Sequence, residues 1–254
     1  MGWLAAWRRR RVLARHRVDD ALWHRVTGRL PFLRGLDAEQ LRRLQQLALL
    51  FLAEKEFAPV RGLVLDDAMR LSIAVQACLP ILELALDWYA GWTGIVVYPS
   101  DFKVKRSEMD QDGVLHEWHD ELAGESWPGG PVVLSWDAIE GARNAEINVV
   151  IHEFAHKLDM ANGVANGVPP LHAGMDRAAW CAAFASAYER FCDALERGRH
   201  TWLDPYAAED PSEFFAVLSE AFFEQPHELR RRYADVYEQL RLFYRQDPAP
   251  RMSA

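Results

Sequence analysis

Two histidines and a glutamate stand in the stretch INVVIHEFAHKLDM (147–160), in the order His152-Glu153-x-x-His156. If this stretch is helical, residues four apart lie on one face, so the two imidazoles can bind one metal ion from a rigid support. Glu153 then points about a quarter-turn away, where its carboxylate reaches a metal-bound water rather than the metal. The alternative is a core helix with hydrogen-bonded histidines, but a buried glutamate beside them is costly without a cation. The pattern therefore predicts a metal site suited to hydrolysis.

The residues around this motif fit a helix with one apolar and one polar face. Val149, Val150, Phe154 and Leu158 supply packing surface. Asp159 follows His152 by seven residues and so lies on the histidine face. We expect Asp159 to accept a ring N–H and to fix the tautomer of an imidazole.

A catalytic zinc needs a third protein ligand and leaves one position open for water. A metzincin would have glycine and histidine at positions 159 and 162, where this chain has Asp159 and Asn162, so that class is excluded. His172 lies in the segment 161–174, rich in Gly, Pro and Asn, and His200 follows a charged run. Both are expected to be exposed loop residues. The third ligand is therefore sought farther downstream.

The segment Asp210-Pro211-Ser212-Glu213 has the order of a helix start, with Asp as N-cap and Pro in the first position. The helix is expected to run until just before Pro226. Glu213 can complete a capping box, or it can be the third zinc ligand, kept ionised by the helix N-terminus. Glu220, seven residues on, shares its face and is either the ligand instead or a carboxylate that holds one. Spacing favours Glu213 and leaves Glu220 open.

The order of elements along the 254 residues predicts an α+β fold. The first 95 or so residues look mainly helical, with one helix from Asp37 to Phe51 and another from Leu63 that breaks or kinks at Pro80. Two strands are predicted, at 93–102 and at 124–136, with a polar stretch between them.

From Asp137 onward the chain is expected to be mostly helical, interrupted by the loop 161–174. The expected architecture is mainly helical, with a small sheet beside the active-site helix in the manner of zincins. A helical N-terminal portion, residues 1–90, is expected to pack on a metallopeptidase core, residues 91–254, as one compact unit.

Charge is distributed unevenly along the chain, whose net charge is −8. Nine arginines in residues 1–34 stand against Asp19 and Asp20, which leaves +7 there and −15 on the remainder. Such a segment can contact nucleic acid, an anionic membrane surface or an acidic partner. It can also be the solvated face of a first helix docked on an acidic body. The latter is favoured, and no direct nucleic-acid partner is expected, because no aromatic-interleaved nucleic-acid motif accompanies the arginines.

The chain shows no signal for export or membrane insertion. In MGWLAAWRRRR the charges follow the apolar residues, the reverse of a secretory signal. The longest apolar run, 71–86, contains Gln76, Pro80 and Glu83, so no membrane span is expected. The cysteines are too few and scattered for a disulfide framework. They are Cys78, Cys181 and Cys192. We expect reduced thiols in a cytoplasmic protein.

Three segments form a more specific pattern than the histidine motif alone: GPVVLSWD, HEFAHKLDMANG and PYAAEDPSEFFAVLSEAFF. Together they resemble the Mlc titration factor A (MtfA) family of zinc peptidases, a family related in its catalytic core to anthrax lethal factor. The resemblance implies one zinc ion per chain on His152, His156 and Glu213. It further implies Glu153 as the catalytic carboxylate and Tyr206 as a hydroxyl that reaches toward the reacting carbonyl.

The resemblance implies a gluzincin-like zinc metallopeptidase that hydrolyses peptide bonds through a metal-activated water, with aminopeptidase-like activity. The family name also implies binding of a transcriptional repressor of sugar uptake. Peptide substrates and such a repressor are therefore the expected partners, and a regulator-sequestering protein with a secondary zinc site is the alternative function.

Two further interpretations concern the role of the zinc ion and the strand that precedes the motif. A purely structural zinc is disfavoured, because such sites usually have four protein ligands, often cysteines, and no cysteine lies near the motif. The strand Val132–Ser135 lies just upstream of the motif. It can hold substrate backbone as an added strand, or it can be an internal core strand.

Overall fold

Eleven α-helices and six β-strands make up the part of the chain that the computed structural model describes, residues 3–109, 115–141 and 148–252. The helices are α1 (Trp3–Arg15), α2 (Asp20–Thr27), α3 (Ala38–Glu54), α4 (Asp67–Cys78), α5 (Trp136–Gly141), α6 (Val149–Asp159), α7 (Arg177–Glu196), α8 (Pro211–Glu224), α9 (Pro226–Arg232), α10 (Ala234–Tyr244) and α11 (Pro248–Arg251). The strands are β1 (Glu56–Pro59), β2 (Gly94–Tyr98), β3 (Phe102–Met109), β4 (Leu115–Leu122), β5 (Gly124–Ser126) and β6 (Val132–Ser135). The fold is α+β and mainly helical, which confirms the sequence-based prediction.

The main sheet is mixed and has the strand order β1-β2-β6-β5. β1, β2 and β6 run parallel, and β5 pairs antiparallel with β6. β6 is buried at all four residues, as an inner strand rich in valine and leucine should be. β1 ends at Pro59, which is tolerated because the strand lies at the edge of the sheet.

The sequence-based prediction missed three parts of this β-structure. β1 lies in the region that was predicted to be mainly helical. β5 and β6 form a hairpin where one strand was predicted. β3 and β4 pair as a separate antiparallel ladder within the predicted polar stretch. Residues 110–114 of that stretch, and 142–147 of the region predicted as mostly helical, lie outside the described residues.

The helix predicted from Leu63 is shorter than expected. α4 begins after Asp66, whose side chain accepts a hydrogen bond from the Met69 amide at 2.7 Å. It ends at Cys78, because Pro80 has no N–H to continue the helical hydrogen bonds and its ring clashes with the preceding turn. Of the break or kink predicted at Pro80, the structure shows a break, and turns follow it.

α6 is the innermost helix, and all eleven of its residues are buried. It packs against β5 and β6 on one side and against α4 and α8 on the others. Its apolar face joins an aromatic cluster in which Phe154 contacts Phe51, Tyr89 and Trp92. A helix surrounded in this way can carry charged side chains only where neighbouring elements offer partners.

A buried lysine on α6 holds the turn between β5 and β6. Lys157 Nζ donates to the carbonyl oxygens of Trp127 and Gly130, both at 2.7 Å. Burial lowers the pKa of Lys157 to about 8, and its ammonium lies 4.8 Å from the ring centroid of Trp92. The residue after the second histidine of the motif therefore fixes the sheet edge to the helix.

The N-terminal residues contribute to the same hydrophobic core as the rest of the chain. β1 pairs with β2, and α4 packs on α6. One continuous cluster of buried side chains extends from Trp23 to Ala249. The division into residues 1–90 and 91–254 stays a prediction. Among the described residues, no helix is both long and apolar enough to cross a membrane.

We expect Asp37→Ala to lower the free energy of unfolding by about 1 kcal/mol, because it removes a capping box from α3. The Asp37 side chain accepts from the Gln40 amide at 2.8 Å, and the Gln40 side chain accepts from the Asp37 amide at 3.1 Å. Denaturant unfolding is the measurement. Glu39→Ala is the control, since Glu39 is acidic and in the same turn but only pairs with exposed Arg42. Equal losses in the two variants would contradict the assignment.

Candidate metal centre

Three side chains from two helices converge on one point. His152 and His156 come from α6, and Glu213 comes from the first turn of α8. One ligand atom from each lies within 4.8 Å of the others. Nε2 of His152 is 3.1 Å from Nε2 of His156 and 3.0 Å from Oε2 of Glu213. The packing of α6 on α8 thus brings together two imidazoles and a carboxylate that lie about sixty residues apart in sequence.

The far nitrogen of each ring has its own partner. Nδ1 of His152 lies 2.6 Å from Oε1 of Glu220. Nδ1 of His156 lies 3.1 Å from Oγ of Ser212, and that hydroxyl donates to Oδ2 of Asp159 at 3.0 Å. An ionised carboxylate can only accept, and a hydroxyl whose hydrogen is already donated must accept as well. Both Nδ1 atoms therefore carry hydrogen, which leaves the two Nε2 atoms facing Glu213, where each can hold either a proton or a metal ion.

This donor set fits a tetrahedral zinc ion. Two imidazole nitrogens and a carboxylate oxygen are ligands of a catalytic site with an open fourth position. Bonds of about 2.0–2.1 Å at tetrahedral angles place ligand atoms about 3.3 Å apart. The three donor atoms here are separated by 3.0–3.3 Å. Two imidazole nitrogens and a carboxylate oxygen this close together need protons or a metal ion between them, so the residues present match the group that the sequence predicts.

The charges around the site favour a cation. Burial would raise the pKa of Glu213, but its hydrogen bonds with His152 and His156 outweigh burial and hold the pKa well below its usual range. Burial would lower the pKa of His152, but Glu213 and Glu220 outweigh it and raise the pKa well above its ordinary value. The Glu213 carboxylate is kept ionised, and positive charge is stabilised at the ring of His152.

Glu153 lies beside the three converging groups without joining them. It is only 4 % exposed, and within the described part of the chain its Oε2 atom is buried with no hydrogen-bond partner. Burial raises its pKa, although His152 and His156 oppose the rise. A carboxylate with a raised pKa and an unused oxygen takes up a proton more readily than an ordinary exposed one, as a general base must.

Gly124 of β5 leaves the room that Glu153 occupies. A Cβ atom at this glycine would lie 2.4 Å from Oε1 of Glu153 and 2.7 Å from Cγ2 of Val149. Ser126, two residues on, donates to the backbone carbonyl of Glu153 at 3.0 Å. The edge strand β5 therefore sets the position of this carboxylate, and only glycine fits at position 124 without displacing it.

Asn148 connects three helices at the back of the site. Its Oδ1 accepts from the Ile151 amide and caps α6, and its own amide donates to Oε2 of Glu220 at 2.6 Å. Its Nδ2 donates to Gln76 of α4 at 3.0 Å and to Glu224 of α8 at 2.8 Å. Glu220, which holds His152, is thus itself held by Asn148, the residue that caps α6.

The other predicted residues take different positions. The ring of Tyr206, on the 3-10 turn Pro205–Ala208, has its centroid 6.2 Å from that of His152. His200 is exposed, as predicted. His172 is not exposed: it is half-buried against Trp88 and Phe243, and its Nε2 bonds to the Phe243 carbonyl oxygen at 2.7 Å. Neither histidine belongs to the converging group.

Asp159 corrects one sequence-based expectation. It was expected to accept an imidazole N–H directly, but its Oδ2 accepts from Ser212 and from the amides of Asn166 and Gly167, so it reaches His156 through the serine. Sequence reasoning treated Ser212 only as part of a helix start and did not identify Asn148. Each is a small polar residue at a helix N-terminus, where such residues are common, so the sequence context alone indicated no role in the site.

The strand Val132–Ser135 is internal, since β6 pairs with β2 on one side and β5 on the other. It therefore cannot receive a substrate strand, which decides between the two readings of this segment. Among the strands of the described residues, the one at this edge of the sheet is β5.

Nearly the whole chain is similar to a known protein family and to several known proteins. The model of a family described as glucose-regulated metallo-peptidase M90 matches residues 4–245. An uncharacterized protein of Synechocystis sp. is 40 % identical over 89 % of this chain and 84 % of its own length. Proteins named Mlc titration factor A, from Yersinia pestis (strain Pestoides F) and Yersinia pseudotuberculosis (strain IP 31758), are 39 % identical over 91 % of this chain and 87 % of theirs.

We expect Gly124→Ala to reduce peptide hydrolysis at least about tenfold without reducing bound metal, because the atoms nearest to the new methyl group belong to Glu153 and Val149 and not to the three converging side chains. Hydrolysis of a reporter peptide and metal content of the purified protein are the two measurements. Gly141→Ala is the control, since a Cβ there meets nothing within 4 Å. Full activity in Gly124→Ala, or zinc loss in parallel with activity, would contradict the assignment.

We expect Glu224→Gln to change the pH dependence of stability. Burial raises the pKa of Glu224 from 4.5 to about 7, so the folded chain holds a proton there that the unfolded chain releases at lower pH. The free energy of unfolding should therefore fall as pH rises from about 4.5 through 7. Because the group is half-buried, we expect on the order of 1–2 kcal/mol between about pH 5 and 8, absent in Glu224→Gln.

Urea unfolding at several pH values measures this effect. Glutamine keeps an oxygen that can accept from Asn148, so the hydrogen bond survives the change. The matched control is Glu189→Gln on the exposed face of α7, which should keep the slope of the wild type. An unchanged slope in Glu224→Gln would contradict the assignment.

Proposed function

The chain belongs to the glucose-regulated metallopeptidase M90 family, and we propose that it is a zinc-dependent peptidase whose metal is held by His152, His156 and Glu213. The convergence of these three side chains carries the proposal. Their donor atoms have the type and spacing of a catalytic zinc site, and Glu153, the acid of the motif, lies beside them with an unpaired oxygen.

The chain's own groups supply the remaining chemistry. When bound, zinc supplies Lewis acidity and a water of lowered pKa. Glu153 takes the proton from the attacking water at its Oε2 atom and passes it to the leaving amine. The hydroxyl of Tyr206 stabilises the oxyanion that forms on the carbonyl. Glu220, and Ser212 with Asp159, hold the two rings in the tautomers that this arrangement needs.

The peptide substrate is proposed to lie along β5 rather than β6. β5 is the edge strand at this end of the sheet, and it lies directly beside the active-site helix. Backbone groups on a free strand edge can pair with an extended peptide. Gly124 and Ser126 of this strand already position Glu153, so a peptide paired with β5 would pass close to the general base.

The finer proposal is an aminopeptidase-like activity within the gluzincin class, which the sequence resemblance supports. A substrate with a free amino terminus should then be cleaved, whereas the same peptide with an acetylated terminus should not. A zinc content of one ion per chain is part of the same proposal.

A second function is favoured by the name of the Yersinia relatives, Mlc titration factor A. We propose that this chain also binds a transcriptional regulator of the Mlc type. The two functions are separable, because a regulator that is sequestered need not be cleaved. Binding that survives the loss of Glu153 would support sequestration, and binding that is lost with it would assign the regulator to the substrate site.

We expect Glu153→Gln to retain zinc but to lower hydrolysis at least about 100-fold, because the amide cannot take up the proton. Glu213→Gln should instead lower zinc content, since it weakens a ligand. Metal analysis and peptidase assays on both variants separate the two roles, with exposed Glu196→Gln on α7 as control. Undiminished hydrolysis by Glu153→Gln would contradict the assignment of Glu153 as the general base.

A further inference from the structure

The first helix, α1, exposes large apolar and basic side chains together. Trp3, Leu4 and Trp7 are 75 %, 56 % and 46 % exposed, and they are three of the seven exposed large hydrophobic residues in the described chain. Five exposed arginines accompany them. These are Arg8, Arg10, Arg11, Arg15 and Arg17. No acidic residue occurs between Trp3 and Val18. Two exposed indole rings are unusual on a helix face that contacts only water, so they indicate an interaction surface.

The opposite face of α1 attaches the helix to the body of the protein. Val12 and Leu13 pack against the hydrophobic core. Arg9 forms ion pairs with Glu54 at 2.7 Å and Asp87 at 2.6 Å, on side chains of α3 and of the turn Leu86–Tyr89. The side of α1 that carries Trp3, Leu4 and Trp7 is therefore held outward by the contacts on its inner side.

The exposed groups act as one surface because they are interleaved. The Arg11 guanidinium lies 5.3 Å from the centroid of the Trp7 ring, so charge and aromatic area are adjacent. On a helix, Trp3 and Trp7 lie one turn apart on the same side, and Arg10 and Arg11 lie one turn beyond them. We call this outward side, residues Trp3, Leu4, Trp7, Arg8, Arg10, Arg11 and Arg15, the basic aromatic face.

The charge distribution along the chain and the side chains of the basic aromatic face indicate which anionic partner fits it. Residues 1–34 carry +7 and the rest −15, so an anionic surface is attracted at this end of the chain and repelled by the remainder. Tryptophan and leucine beside arginines are the composition with which helices lie in the interface of an anionic membrane. A nucleic acid would use the arginines but leave Leu4 without a partner.

We propose that the basic aromatic face of α1 docks the protein on the surface of an anionic lipid bilayer. Trp3, Leu4 and Trp7 enter the headgroup region, and the arginines pair with lipid phosphates. The helix lies in the plane of the surface and does not span it. Binding of this kind goes beyond the proposed peptidase activity, and it would bring that activity to membrane-attached peptides.

Co-sedimentation of the full chain with vesicles tests the proposal. We expect at least tenfold tighter binding to vesicles of phosphatidylcholine with about 30 % phosphatidylglycerol than to phosphatidylcholine alone, and weaker binding as salt rises. The triple variant Trp3→Ala/Leu4→Ala/Trp7→Ala and the triple variant Arg8→Gln/Arg10→Gln/Arg11→Gln should each lose at least about tenfold. All altered side chains are exposed, so hydrolysis of a soluble peptide should stay unchanged.

Matched controls change exposed residues elsewhere. Val64→Ala with Leu242→Ala removes apolar area, and Arg197→Gln with Arg199→Gln removes charge, and both should bind as the wild type does. Equal binding to neutral and anionic vesicles, no binding to either, or binding that survives both triple variants would overturn the proposal. So would tight retention by duplex DNA or polyglutamate in the absence of vesicle binding.

Discussion

The packing of α6 against α8 is the contact on which the site depends, because it places acidic and imidazole groups together away from water. A buried charge is costly unless a partner lies within reach. Here Glu213 is bonded to both histidines, Glu220 to His152 and the Asn148 amide, and Asp159 to Ser212 and two backbone amides. Each helix thus supplies hydrogen-bond partners for the charged groups of the other. A shift of one helix along the other would leave several buried charges without partners at once.

The helix starts at the site determine how accurately those groups are placed. Asn148 caps α6, and Asp210 caps α8 by accepting from the amides of Ser212 and Glu213. The cap of α8 therefore lies within one turn of a proposed metal ligand. A side chain near a capped terminus has little freedom to move with a fraying end. Lys157 adds a third restraint by fixing the turn between β5 and β6 to α6.

The chemistry of the site was more predictable from sequence than the sheet around it. His152, Glu153 and His156 lie within one helical turn of each other, so local periodicity was enough to place them together, and the Asp-Pro-Ser-Glu helix start pointed to Glu213. β1 and β5 are only four and three residues long, and they are defined by pairing with strands distant in sequence, which no local pattern records. Ser212 and Asn148 were missed for a related reason: their partners, Asp159 and Glu220, become neighbours only when α6 and α8 pack.

The anchoring of Asp159 links the site to a surface loop. Its Oδ2 atom accepts from the amides of Asn166 and Gly167 and from the serine that holds His156. A change in charge at the His156 imidazole therefore alters the hydrogen bonds available to Oδ2 of Asp159. The amides of Asn166 and Gly167, about ten residues from His156 in sequence, bond to the same oxygen and are affected as well. Their nuclear magnetic resonance frequencies are natural reporters of what occupies the imidazole, readable without a substrate and without any label inside the site itself.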